Sequence, residues 1–378
     1  MVDPTEPSTE SSTESSVEPQ PLRTVAVLGA GSWGTALAIH CARRGRPTVL
    51  WTRTTAHHQA MTAEGRNARY LPDAPFPSGL TTTDALDAAL AGADLVICAI
   101  PSHGMREAIE RVASFFARDP SAPAPMYLIA AKGIEVDSLS TMHQVLAQEL
   151  APLANPEGRE APSATGGPAE HHERIAALGG PSFAAEVAKG LPTTVVVGAQ
   201  SPAVGQAIQR LLSGDGVRAY VTDDILGVEL GGTFKNVIAL AAGVGDGAGL
   251  GQNARAGLIT RGLAEMSRLA VALGALPATL AGLAGIGDLV LTCTGGLSRN
   301  RRVGIALGEG KTLEEILGRM GMVAEGVKNT LSAQRLAQRE GVDMPLVATM
   351  HAILYEGMAV QDAVDALMGR KLKAEREW

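Results

Sequence analysis

Several segments of this 378-residue chain carry side chains that could do chemistry together. Gly29-Ala30-Gly31-Ser32-Trp33-Gly34 follows an apolar run and opens a helical pattern, the context in which a Gly-x-Gly-x-x-Gly turn receives a dinucleotide. Gly29 permits the tight turn, Gly31 lets a pyrophosphate approach the backbone, and Gly34 lets helix and strand pack closely. The free amides at the helix start then face the phosphates. The second apolar run ends at Trp51-Thr52-Arg53, without the acidic residue that bonds ribose hydroxyls in NAD-selective sites. Arg53 could clamp a 2′-phosphate, so NADPH is expected to be accepted; the alternative is a solvated surface arginine.

Such a turn says only that a hydride can move, and the rest of the chemistry must come from elsewhere. Lys235 lies in Gly231-Gly232-Thr233-Phe234-Lys235-Asn236, on a helix whose glycines allow close approach. A lysine serves as an acid–base near neutral pH when burial or a neighbouring cation lowers its pKa. Lys132, in Ala131-Lys132-Gly133, could be that second cation. Asp288 follows Gly285 and Gly287, whose bend would deliver it into a cleft to orient Lys235. Ser298-Arg299-Asn300 suits a phosphate, with a guanidinium fork and two neutral donors. Taken singly, each has an ordinary alternative: a surface lysine, a turn aspartate, a helix cap. No spacing rule joins them.

The elements that must position these residues change character along the chain. Thr24–Leu28, Thr48–Trp51, Asp94–Ile100, Met126–Ala131, Ile175–Leu178 and Thr193–Val197 read as strands. Helical patterns at Gly34–Arg44 and from Pro101 to about Ala117 lie between them, which predicts a parallel sheet covered by helices. Beyond Asp224 the strand signals fade, and Thr312–Gly318 and Leu331–Arg339 look amphipathic. The expected fold class is α/β: a Rossmann-type dinucleotide-binding domain over 22–224, then an all-helical substrate domain over 225–378. Residues 1–21 form a Ser/Thr/Glu/Pro tail that should be disordered. Residues 151–173, rich in Pro, Gly, Ala and Glu, read as a solvent loop. His171 and His172 lie there without a third ligand at suitable spacing, so no metal is expected.

Composition narrows the function classes. The chain is 46% hydrophobic and 19% charged, with 44 Gly but only 5 Phe, 4 Tyr and 3 Trp. Few aromatics argue against a stacking platform for single-stranded nucleic acid, and a net charge of −7 argues against a duplex-binding surface. Cys41, Cys98 and Cys293 form no paired motif and read as reduced, buried thiols of a cytoplasmic protein. Residues 24–42 lack charge, but their clustered glycines and the acidic stretch before them suit neither a membrane span nor a signal peptide. No other stretch competes for a span.

Together these segments closely resemble the NAD(P)-dependent glycerol-3-phosphate dehydrogenases of bacterial type. The likeness runs from about Val25 to about Gly357. It includes GAGSWGTALA at 29–38, NARYLPDAPFPSGL at 67–80, ICAIPSH at 97–103, AKGIE at 131–135 and GGPSFAAEVAKGLPT at 179–193. It continues through 231–266, GIGDLVLTCTGGLSRNRRVG at 285–304 and VAEGV at 323–327. The resemblance implies reversible reduction of dihydroxyacetone phosphate to sn-glycerol 3-phosphate with NADP or NAD, supplying phospholipid synthesis, by a homodimer. It puts Lys235 at the position of the proton acceptor in the oxidative direction. Lys132, Gly180, Ser182, Asp288, Ser298, Arg299 and Asn300 match substrate-contacting positions. Ser32, Trp33, Arg53, Lys132, Ala184, Arg299, Val323 and Glu325 match cofactor-contacting positions, joining Gly29, Gly31 and Gly34.

Overall fold

The computed structural model describes residues 22–119, 123–154, 173–319, 324–372 and 374–375. The tail 1–21, the His171-His172 pair and Val323 lie outside them, as does most of the 151–173 segment. Eight strands form one sheet: β1 (Val25–Leu28), β2 (Thr48–Trp51), β3 (Leu80–Thr83), β4 (Leu95–Cys98), β5 (Met126–Ile129), β6 (Ile175–Gly179), β7 (Thr193–Ala199) and β8 (Val217–Thr222). Their order is β3-β2-β1-β4-β5-β6-β7-β8. β1 (VAVL) and β4 (LVIC) are buried at every position, as expected of central parallel strands covered on both faces. Helices Ser32–Arg43 and Pro202–Leu212 pack on one face, and Met105–Phe116 and Met142–Ala154 on the other. The strand order reverses between β1 and β4, and the crevice beyond their carboxyl ends is where such sheets take ligands.

Three details differ from the sequence reading. β7 runs antiparallel to β6, whereas every other neighbouring pair is parallel. β3 and β8 had no distinct signal: Leu-Thr-Thr-Thr offers one large apolar side chain, and β8 pairs only through β7. The helix beginning at Met142 continues to Ala154, so residues 151–154 are helical rather than loop.

The second half is helical and centres on the helix Ile225–Gly247. By length and composition this helix and the stretch Pro277–Thr294 could each cross a membrane, contrary to the reading that no other stretch competes, but 94% of the central helix's apolar window is buried inside the fold, as in a core helix. Asp224 caps it, accepting from the Gly227 amide at 2.7 Å, and its other oxygen accepts from the Leu276 amide at 2.8 Å. Glu229 ties it to the sheet half, accepting from the His143 amide at 2.9 Å and standing 2.5 Å from His143 Nδ1. The helix Arg299–Gly308 lies directly against it. A Cβ on Gly243 would fall 2.2 Å from the Arg301 carbonyl oxygen, and one on Gly304 would fall 2.1 Å from that of Leu240. The two backbones therefore touch along a glycine seam. Cys41, Cys98 and Cys293 are all buried, and burial pushes each thiol up to about 12.

Candidate active site

The glycine turn sits at the end of β1. Gly29 has φ +112°, and a Cβ there would meet the Ala99 carbonyl oxygen at 2.6 Å. A Cβ on Gly34 would lie 1.9 Å from the Gly29 carbonyl oxygen. Around Gly31 nothing lies within 4 Å of a Cβ position, so the space above the turn is open. The helix that follows has no side-chain cap, leaving its first amides to a ligand. Trp33 Nε1 is buried without a partner beside this turn. Open space, uncapped amides and an orphaned donor suit a dinucleotide's phosphates. Arg53 is exposed just past β2; its charge and that of Lys328 add to burial in lowering the His103 pKa.

Asp288 lies at the centre of the Lys132–Lys235 cluster, 1% exposed. A wide π-type turn, Leu283–Gly287, delivers it at the head of helix Asp288–Thr294, a feature often found at functional sites. One carboxylate oxygen accepts from Lys132 Nζ at 2.8 Å, and the other accepts from Lys235 Nζ. Lys235 also donates to the Thr292 hydroxyl at 2.9 Å. Burial pushes the Lys235 ammonium down to about 7; Asp288 opposes this and Lys132 adds to it. At Asp288 burial pushes the carboxyl up, but the two ammonium groups outweigh it and hold it below the usual range. Lys132 comes from the loop after β5, Lys235 from the central helix, and Asp288 from the π-type turn.

A cavity of about 270 Å³ opens over this cluster. Ser32 and Trp33 line it from the turn, with Ser182 and Ala184 beyond β6. Lys132 and Lys235 lie along it, and Ser298, Arg299 and Asn300 close another side. Ser298 caps the Arg299–Gly308 helix, its hydroxyl accepting from the Arg301 amide at 3.2 Å. Arg301 turns away to pair with Asp246, while Arg302 lines the cavity. Gly180 has φ +99° and its carbonyl accepts from the Ser182 hydroxyl at 3.0 Å; it positions Ser182 without lining the cavity. Glu325 is half-buried at the start of helix Glu325–Glu340. Burial pushes its carboxyl up to about 7, against the charges of Arg299 and Lys132. Arg53 does not line the cavity.

Some residues at this site were not in the predicted set. Thr292 follows Asp288 by one helical turn and joins the same hydrogen-bonded cluster; an i, i+4 search from Asp288 finds it. Asn236 accepts from Asn300 Nδ2 at 2.8 Å, and Asn300 Oδ1 accepts from the Gly326 amide at 3.0 Å. Tyr70, Leu71, Phe183, Ala185 and Leu297 also line the cavity, and no local signal marks them. A larger cavity of about 1550 Å³, walled by Leu250, Val271 and Leu346, lies in the helical half and includes none of the predicted residues.

Comparison with known proteins gives the family. Residues 24–155 match the family profile described as NAD-dependent glycerol-3-phosphate dehydrogenase N-terminus, and residues 224–365 match its C-terminus counterpart. The chain belongs to the NAD-dependent glycerol-3-phosphate dehydrogenase family. A relative from Geobacter sp. (strain M21), named glycerol-3-phosphate dehydrogenase (NAD(P)+), is 46% identical over 93% of this chain and 98% of its own. One of the same name from Geobacter metallireducens is 47% identical over the same shares. The crystal structure of a glycerol-3-phosphate dehydrogenase from Coxiella burnetii matches with a TM-score of 0.82 at 40% identity, covering 92% of this chain and 99% of that one. The dehydrogenase family thus accounts for both halves of the fold, the sheet with its glycine turn and the helical half with Lys235.

Proposed function

We propose that this protein reversibly reduces dihydroxyacetone phosphate to sn-glycerol 3-phosphate with NADPH or NADH. The observation that carries the reading is the Lys132–Asp288–Lys235 cluster beneath a cavity closed by Ser298, Arg299 and Asn300. When bound at the glycine turn, the nicotinamide cofactor supplies or accepts the hydride. Lys235 handles the proton at the substrate's oxygen. Brought down to about 7, it donates its proton to the forming hydroxyl in reduction and, as the neutral amine, takes the hydroxyl proton in oxidation, both near neutral pH. Asp288 offsets the charge of the buried Lys235 and the part-buried Lys132 and aims Lys235. Arg299, Ser298 and Asn300, with Ser182, form the grip for the substrate phosphate.

Arg53 and the lack of an acidic residue after β2 support acceptance of NADPH. Family likeness supports a homodimer working in the cytoplasm and supplying glycerophospholipid synthesis. The deciding experiment is an initial-rate comparison of NADPH and NADH with dihydroxyacetone phosphate, with a 3-oxo carboxylate as control. Turnover of the triose phosphate but not the carboxylate is expected. The reverse preference would assign Arg299 to a carboxylate and sink the reading.

A further inference from the structure

Asn67 lies outside the catalytic cluster and is fully buried. Its amide nitrogen donates to the Ala30 carbonyl at 2.9 Å and to the Thr35 hydroxyl at 2.8 Å. Ala30 sits between Gly29 and Gly31, and Thr35 lies in the first turn of the helix that follows. Turning the amide over would set two carbonyl oxygens face to face, so the network dictates its orientation. Asn67 Oδ1 is then a pure acceptor, 3.0 Å from His57 Nε2, and His57 must carry a proton on that nitrogen. In the neutral ring, Nδ1 accepts from the Thr52 hydroxyl at 3.1 Å. A hydrogen-bond chain of defined direction therefore runs from the end of β2, through His57 and Asn67, to the carbonyl in the middle of the glycine turn.

The same loop reaches the catalytic cavity. The amides of Tyr70 and Leu71 donate to the Asn67 carbonyl at 3.2 and 2.8 Å. The His57 ring meets Tyr70 edge-on at 5.5 Å. Tyr70 and Leu71 line the cavity that holds Lys132 and Lys235; Asn67 and His57 do not. We propose that Asn67 and His57 are positioning residues that hold the glycine turn and the Tyr70–Leu71 wall in one register, coupling the cofactor and substrate sites. The inference rests on the assignment of those two sites above. Loosening this loop degrades both at once, because its anchor is common to them.

The test measures the NADPH dissociation constant by tryptophan fluorescence without substrate, together with KM for dihydroxyacetone phosphate, kcat and Tm. His57→Ala leaves Asn67 Oδ1 buried without a donor. It should weaken NADPH binding and raise KM each by up to about 5- to 30-fold, the range of an orphaned acceptor's ~1–2 kcal/mol, while kcat falls less. His57→Gln, whose amide can both donate to Asn67 and accept from Thr52, should recover most of both. Asn67→Asp sets a carboxylate oxygen against the Ala30 carbonyl and should be worse than His57→Ala. A fall in Tm with the dissociation constant and KM both within twofold of wild type would leave His57 merely structural and overturn the proposal. So would a change in only one of the two sites. Wild-type NADPH binding and turnover report separately on the functional assignment, and their absence would overturn both readings.

Discussion

Lys235 and Asp288 lie 53 residues apart in the chain and meet as a buried ion pair, 7% and 1% exposed. Lys132 holds the other oxygen of the same carboxylate, so one anion serves two cations. Lys235→Ala should therefore lower kcat by roughly 10²–10⁴-fold, the usual range for losing an acid–base group. NADPH binding should survive, because the glycine turn is untouched. A near-normal kcat would move the proton role to Lys132.

The pH dependence has a definite sign. On the proposed roles reduction uses protonated Lys235, so its rate should fall as pH rises through about 7, while oxidation should rise over the same range. Asp288→Asn removes the anion that raises the Lys235 pKa, so both profiles should shift to lower pH. Rate–pH profiles in both directions check this, and profiles that stay in place would separate Asp288 from the proton step.

Arg299→Ala should mainly raise KM for dihydroxyacetone phosphate, since a phosphate grip acts in ground and transition states alike. Some kcat loss should follow, because remote binding energy helps orient the carbonyl. Added guanidinium should recover part of the rate. If kcat fell alone, the phosphate would have to bind elsewhere.

Arg53→Ala should weaken NADPH more than NADH by roughly 10- to 100-fold, the worth of one charged hydrogen bond. Titration of each dinucleotide is the measurement. Equal losses would mean that Arg53 packs on the adenosine rather than gripping a 2′-phosphate.

Glu265 offers a prediction about stability. It is 2% exposed and accepts from the Leu346 amide at 2.8 Å, at the head of helix Pro345–Tyr355. Burial pushes its carboxyl up to about 7, against the two amides it meets. A folded-state pKa raised above the unfolded one means the native state holds the extra proton. Stability from this group is thus present at low pH and lost as pH rises from about 4.5 to about 7. Glu265→Gln keeps the acceptor and should flatten that loss by on the order of 1–3 kcal/mol. Melting curves across pH 5 to 8 should converge for wild type and variant at the acidic end.

The legible parts of this protein were the local ones. The glycine turn announces itself because its strand, three glycines and helix are contiguous. Lys235, Asp288 and Lys132 were each suspect and a shared role could be sketched from their types, but the sequence separation of 156 between Lys132 and Asp288 hides their meeting from any spacing rule, and family likeness was needed to support it. β3 was hidden by a polar Thr-Thr-Thr run, and the reversal of β7 by an interior pattern that is the same in either direction. Tyr70 and Leu71 reach the site through a loop held by buried hydrogen bonds, which hydrophobic periodicity does not record.

The glycine seam between the central helix and helix Arg299–Gly308 works as a caliper. Lys235 and Arg299 ride on two backbones in direct contact, with no side chain between Gly243 and Gly304 to compress or rotate. On the proposed roles, the proton site at Lys235 and the phosphate grip at Arg299 are thus carried on main chains that cannot slide past one another without a clash. Such a gauge measures how many bonds separate a carbonyl from its phosphate. If the proposed roles hold, a homologue one carbon longer than the triose phosphate should fit this spacing less well.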